Sequence, residues 1–173
     1  QIIGKRRFQA FRLLPNLHPW IFEKIQKALE KIITRDKETN MEYTTLGRSN
    51  LVISKICLGT MHFGSKTPQA DAFAIMDKAL EMGINFFDTA NVYGGRPHTG
   101  RTEEIIGKWF AQGGGRREQV VLASKVYGQM TPEALPNEAA GISAYKVRRH
   151  LADSLRRLQT DHLDLYQVHH IYR

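Results

Sequence analysis

From Met41 onward the chain alternates short apolar runs with longer stretches whose apolar residues recur every three or four positions. "LVISKICLG" (51–59) is β-branched and apolar, the signature of a strand. The spacing then predicts a helix from about Thr67 to Met82, with Thr67 and Pro68 as cap and first helical position and Gly83 as its stop. "INFFD" (84–88) reads as a buried strand. "TEEIIGKWFAQ" (102–112) reads as a helix with Glu103 and Glu104 in its first turn, where they complement the helix dipole, and with Gly113 ending it. "QVVLASK" (119–125) is a third strand. A helix from about Ser143 to Leu158 turns Val147, Leu151, Leu155 and Leu158 inward, and "LDLYQVHH" (163–170) closes as a fourth strand.

Strands and helices that alternate without hairpin signals imply parallel strands joined by right-handed crossovers, hence an α/β fold. The first strand-to-helix turn separates two architectures. An open dinucleotide-binding sheet carries G-x-G-x-x-G there, whereas this chain has "GTMHFG" (59–64), which favours a (β/α)8 barrel. Ahead of it, "YTTLGRSNLVIS" (43–54), with its turn-like Gly47-Arg48-Ser49-Asn50, is suited to a hairpin preceding the first barrel strand.

Charge divides the chain in two. The net charge of +8 over 173 residues invites a nucleic-acid reading, but residues 1–40 hold nine Lys/Arg against four Asp/Glu, and only +3 remains for the rest. A basic appendage on an ordinary domain fits better than a basic binding surface, so no nucleic-acid partner is expected. Residues 20–38, "WIFEKIQKALEKIITRDKE", form a basic amphipathic helix pattern with Ile21, Ile25, Ala28, Leu29, Ile32 and Ile33 on one side. We read it as a solvated flanking helix or as sequence upstream of a start at Met41, with a membrane-surface or partner-binding role as the alternative. The domains expected are therefore a 1–40 extension and a 41–173 body. No apolar run reaches membrane-spanning length, residues 1–40 lack a signal-peptide pattern, and the single Cys57 suits a reducing compartment. A cytoplasmic protein without membrane insertion is the expectation.

In parallel barrels the chemistry sits at the C-terminal ends of strands. Those positions hold Gly59-Thr60-Met61, then Asp88 and Tyr93, then Lys125, then His169 and His170. A carboxylate, a phenol, an ammonium and an imidazole on one rim suit proton delivery to a carbonyl oxygen. A phenol near pKa 10 gives up its proton poorly at neutral pH unless a cation stands beside it, and Lys125 can be that cation. Asp88 can keep Lys125 charged, and His169 can hydrogen-bond the substrate oxygen. None of these side chains donates a hydride, so a cofactor would have to.

The segments "LGTMHFG", "INFFDTANVYGGRPHTGRTEEIIGKWF", "VVLASKVYG" and "SLRRLQTDHLDLYQVHH" make residues 41–173 resemble the N-terminal half of an aldo-keto reductase. Within that family the likeness is to the branch of potassium-channel β subunits and their bacterial oxidoreductase relatives. The resemblance implies that Asp88, Tyr93, Lys125 and His169 correspond to the catalytic tetrad, with Tyr93 the general acid. It implies that Gly59, Thr60 and Met61, with Asp88, lie at the nicotinamide. It further implies reduction of a small-molecule aldehyde or ketone with NADPH, preferred over NADH. The alternative role is a nucleotide-sensing regulatory β-type subunit, or a non-functional fragment, and for the complete protein a homo-oligomer or a channel-type partner is the expectation. A full (β/α)8 barrel takes about 250 residues, so the expectation is a chain holding about the first four βα units, a truncated form inactive alone.

Other motifs receive plainer readings. His170 should point to the opposite strand face from His169. No metal-ligand spacing joins the seven histidines. Gly95 to Thr102 imitates a phosphate-binding loop, but with arginine at the lysine position. Gly113-Gly114-Gly115 reads as a helix stop, Arg148-Arg149 and Arg156-Arg157 as a solvated helix face, and Cys57 as a core thiol.

Overall fold

The computed structural model describes residues 41–95, 99–130, 136–138 and 141–171. The amphipathic helix read at 20–38 and the centre of the loop imitating a phosphate-binding motif lie outside them. The run 51–59 divides into two strands. Its first part, β2 (Val52–Ser54), pairs antiparallel with β1 (Tyr43–Thr45) in the expected hairpin, turning through Gly47 at φ 59°. Its second part is β3 (Cys57–Gly59), in a different sheet. Asn85 fixes the break: its Oδ1 accepts from Ser54 N at 2.7 Å and its Nδ2 donates to Val52 O at 3.0 Å. One side chain thus satisfies backbone groups that the hairpin leaves open.

The second sheet runs β3, β4 (Phe86–Asp88), β5 (Val121–Val126), β6 (Leu165–Val168), every pair parallel. Spatial order equals chain order, the arrangement of a barrel wall; a doubly wound sheet would reverse direction at a switch point. Helices α1 (Gln69–Glu81), α2 (Arg101–Phe110) and α3 (Ala144–Leu158) occupy the three crossovers. Leu58, Phe87 and the buried Leu122 share register, and they pack with Met76, Ile105, Ile106, Trp109 and Leu158 of the helices. Phe87 and Trp109 stack with centroids 5.8 Å apart. Since strand residues alternate faces, Cys57, Phe86 and Asp88 fall on the opposite side of the sheet. This corrects the reading of Cys57, which is exposed.

The helix ends show where local chemistry rules. Pro68 occupies the cap position of α1 with extended backbone (φ −57°, ψ 155°), one residue earlier than expected of it, and its carbonyl accepts from Ala72 N. Gly83 stops α1 at φ 82°, a left-handed turn that needs a glycine. Ser143 caps α3, its Oγ accepting from Lys146 N at 3.1 Å.

Helix α3 departs from the simple stripe. Its innermost line is Lys146, His150, Ser154 and Leu158, while Val147, Leu151 and Leu155 are only half-buried. Arg157 does not belong to a solvated face either. Its Nε donates to Glu103 Oε2 at 2.8 Å, and Glu103, wholly inaccessible, also accepts from Ser124 Oγ at 2.6 Å. Buried polar groups here are paired across α2, α3 and β5, as a low-dielectric interior demands.

Candidate functional site

The ends of β3, β4, β5 and β6 bring the expected side chains to one rim. Asp88 is the last residue of β4, in register with Gly59 on one side and Ala123 on the other. Past it the ladder continues in the loop, with Thr89 N donating to Ala123 O and Asn91 N to Lys125 O. The chain then turns tightly, Tyr93 N donating to Ala90 O at 3.1 Å. Gly100 N and Thr102 N, at the start of α2, both donate to the Tyr93 carbonyl. The five residues after Asp88 thus fold back over the rim and are pinned to α2.

Lys125 is the centre of the cluster. Its Nζ donates to Asp88 Oδ2 at 2.5 Å, to Thr89 O at 2.9 Å and to Tyr93 Oη at 3.4 Å. The ammonium also lies 5.0 Å from the Tyr93 ring centroid. With 13% of its side chain exposed, Lys125 is largely withdrawn from water, and these oxygens, the Asp88 carboxylate first, satisfy its hydrogen bonds there.

His169 stands edge-on to Tyr93, centroids 5.7 Å apart. Burial first, then the charges of Lys125 and His170, hold the imidazole below its usual pKa, with Asp88 opposing. Its Nδ1 is buried and, among the described residues, has no hydrogen-bond partner. His170 does not take the opposite face. The strand ends at Val168, so the alternation ends there too, and the two imidazoles stack at 4.8 Å and 14°.

The first strand end behaves differently along its length. Thr60 is fully buried and ties β3 to β4, both its N and its Oγ1 donating to the Asp88 carbonyl, at 3.1 and 2.9 Å. Met61 is 53% exposed, and a Cβ added to Gly59 would meet nothing within 4 Å. Gly59 and Met61 therefore leave open space where a flat ring could lie, while Thr60 braces the wall beneath.

Three contributors were not singled out from the sequence. The Thr89 carbonyl reaches Lys125 only because the loop curls inward. Asn91 and Tyr127 lie just past strand ends, where sequence marks a loop but not which side chain turns in. For Asn91 the available signal is its place between Asp88 and Tyr93.

Comparisons with known proteins bear on the same segments. The chain is 62% identical to the uncharacterized oxidoreductase YrpG of Bacillus subtilis, over 77% of this chain and 41% of that protein. It is 44% identical to the protein tas of Escherichia coli over 75% of this chain and 38% of that protein. To the norsolorinic acid reductase stcV of Emericella nidulans it is 38% identical, over 68% of this chain and 32% of that protein. The chain spans about two fifths or less of the length of these curated relatives. A family model described as "Aldo/keto reductase family" matches residues 55–173, in accord with the parallel strands and their rim, and the chain belongs to the aldo/keto reductase family.

Proposed function

We propose that the protein to which this chain contributes is an oxidoreductase that reduces an aldehyde or ketone to an alcohol, with Tyr93 giving the proton. The observation that carries the reading is the Lys125 ammonium, seated between Asp88 Oδ2 and Tyr93 Oη. Members of the family generally use NAD(P)H, and the open space at Gly59 with the exposed Met61 fits a nicotinamide ring lying there. When bound, that cofactor, NADPH in preference to NADH, supplies the hydride.

The residues of the chain do the rest. Tyr93 donates its proton to the carbonyl oxygen, and Lys125 stabilises the negative charge left on Oη. Asp88 pairs with Lys125 and fixes its direction. His169, favoured neutral by burial and by Lys125, holds the substrate oxygen without adding a second cation. Asp88 is in this reading a partner of the lysine rather than the acid, although it also borders the cofactor region through Gly59. Reduction is the direction named in the fungal relative, a norsolorinic acid reductase.

The test uses this chain joined to the matching remainder of the Bacillus relative and assayed with NADPH and a generic aldehyde. Tyr93→Phe is expected to lower kcat by about 10²- to 10⁴-fold, the usual range for general acid catalysis. Undiminished turnover rules the role out.

A further inference from the structure

Asn91 is fully buried at the same rim, and the reaction above gives it no part. Its backbone N–H extends the β4–β5 ladder to the Lys125 carbonyl at 3.2 Å. There the backbone turns away to bring Tyr93 over the rim, and the Asn91 side chain takes over the pairing. Tyr127 N donates to Asn91 Oδ1 at 3.2 Å, and Asn91 Nδ2 donates to Tyr127 O at 3.0 Å. This reciprocal pair sets the orientation of the amide. Nδ2 therefore also points at Nδ1 of the buried His150, 3.1 Å away, which must accept; the imidazole proton then sits on Nε2. Leucine could fill the space but pair with nothing, and aspartate could accept from Tyr127 but not donate.

Tyr127, held this way, packs its ring steeply inclined to both imidazoles, with centroids 5.7 Å from His169 at 73° and 4.6 Å from His170 at 64°. Both histidines lie past the end of β6, where His169 N to Val126 O, at 3.2 Å, extends the pairing by one residue. Beyond it their rings are placed by packing.

We infer that Asn91 is a positioning residue: its amide, braced by His150, sets Tyr127 and through it the His169 imidazole beside Tyr93. What this positioning serves rests on the reading of His169 given above, but its test does not need turnover.

The experiment is NMR on the 173-residue chain with labelled histidine and aromatic side chains. In Asn91→Ala the imidazole signals of His169 and His170 shift and the Tyr127–His169 and Tyr127–His170 NOEs are lost, while the Phe87–Trp109 NOEs persist. Imidazole signals and NOEs identical to the unaltered chain overturn the proposal. Should Asn91→Ala not fold, Asn91→Asp decides, because it keeps the acceptor for Tyr127 N–H and loses the donor to Tyr127 O and His150. The Tyr127 amide then stays protected from exchange while the imidazole signals move; unmoved signals overturn the proposal. Undiminished turnover in Tyr93→Phe would sink the catalytic reading and leave these NOEs untouched, so the two failures are distinguishable.

Discussion

At Lys125 a single ammonium meets three oxygens, those of Asp88, Thr89 and Tyr93. Lys125→Met keeps the bulk of the stem and removes the charge. In the joined enzyme it is expected to lower kcat by about 10²-fold or more, as loss of a charge-stabilising group does, while far-UV circular dichroism stays the same; equal kcat in the two proteins contradicts the role. His169 carries a pH prediction. Burial and Lys125 depress its folded-state pKa, whereas an unfolded histidine titrates near 6.5. Below about 6.5 the unfolded chain binds the extra proton first, so this contribution to stability is complete above that pH and is lost as pH falls toward the folded value. Urea midpoints at pH 7.5 and 5.0 should therefore differ less in His169→Gln than in the unaltered chain. Asp88, Tyr93, Lys125 and His169 were legible as residues because each ends or follows a strand. That the phenol and the ammonium touch was not, since Tyr93 reaches Lys125 through a turn no periodicity describes.

Between elements, α2 and α3 are joined by a close approach at Gly107 and a buried ion pair. At Gly107 a Cβ would lie 2.1 Å from the Arg157 carbonyl oxygen. Backbone cannot yield as a flexible side chain would, so Gly107→Ala is expected to cost about 1–3 kcal/mol or more, the range of overpacking, read from urea unfolding. Beside it, Glu103→Ala leaves Arg157 with its carboxylate gone; removing one partner of a buried pair costs about 3–5 kcal/mol. Replacing both residues by leucine should recover most of that loss, and no recovery in the double variant would argue against desolvation as the cause. The sequence marked α2 and α3 within two residues of their ends. It misjudged Arg157 and the inward line of α3 because helical spacing sorts residues by polarity, while Glu103 offers a partner to Arg157, Asn91 to His150 and the Gly141 carbonyl to Lys146.

For the whole molecule, the described sheet pairs β4 and β5 on both sides, and β3 and β6 on one side each. The chain covers about two fifths or less of the curated relatives, so a cofactor seated on this rim would meet only part of its walls here. We expect no measurable NADPH binding by the 173-residue chain in calorimetry, and binding once it is joined to the matching remainder of the Bacillus relative. Tight binding by the short chain would show that the described rim suffices. The α/β class, the parallel strands, the barrel in preference to a doubly wound sheet, and the family were determined by the sequence alone, because periodicity, turn residues and motif order are local properties written along the chain. Tertiary structure decided which side chains meet. The division of residues 51–59 between two sheets depends on Asn85, the stacking of His169 on His170 depends on where β6 stops, and Cys57 is exposed because its register places it away from the helices. Each of these turns on a partner distant in sequence, so no local pattern could carry it.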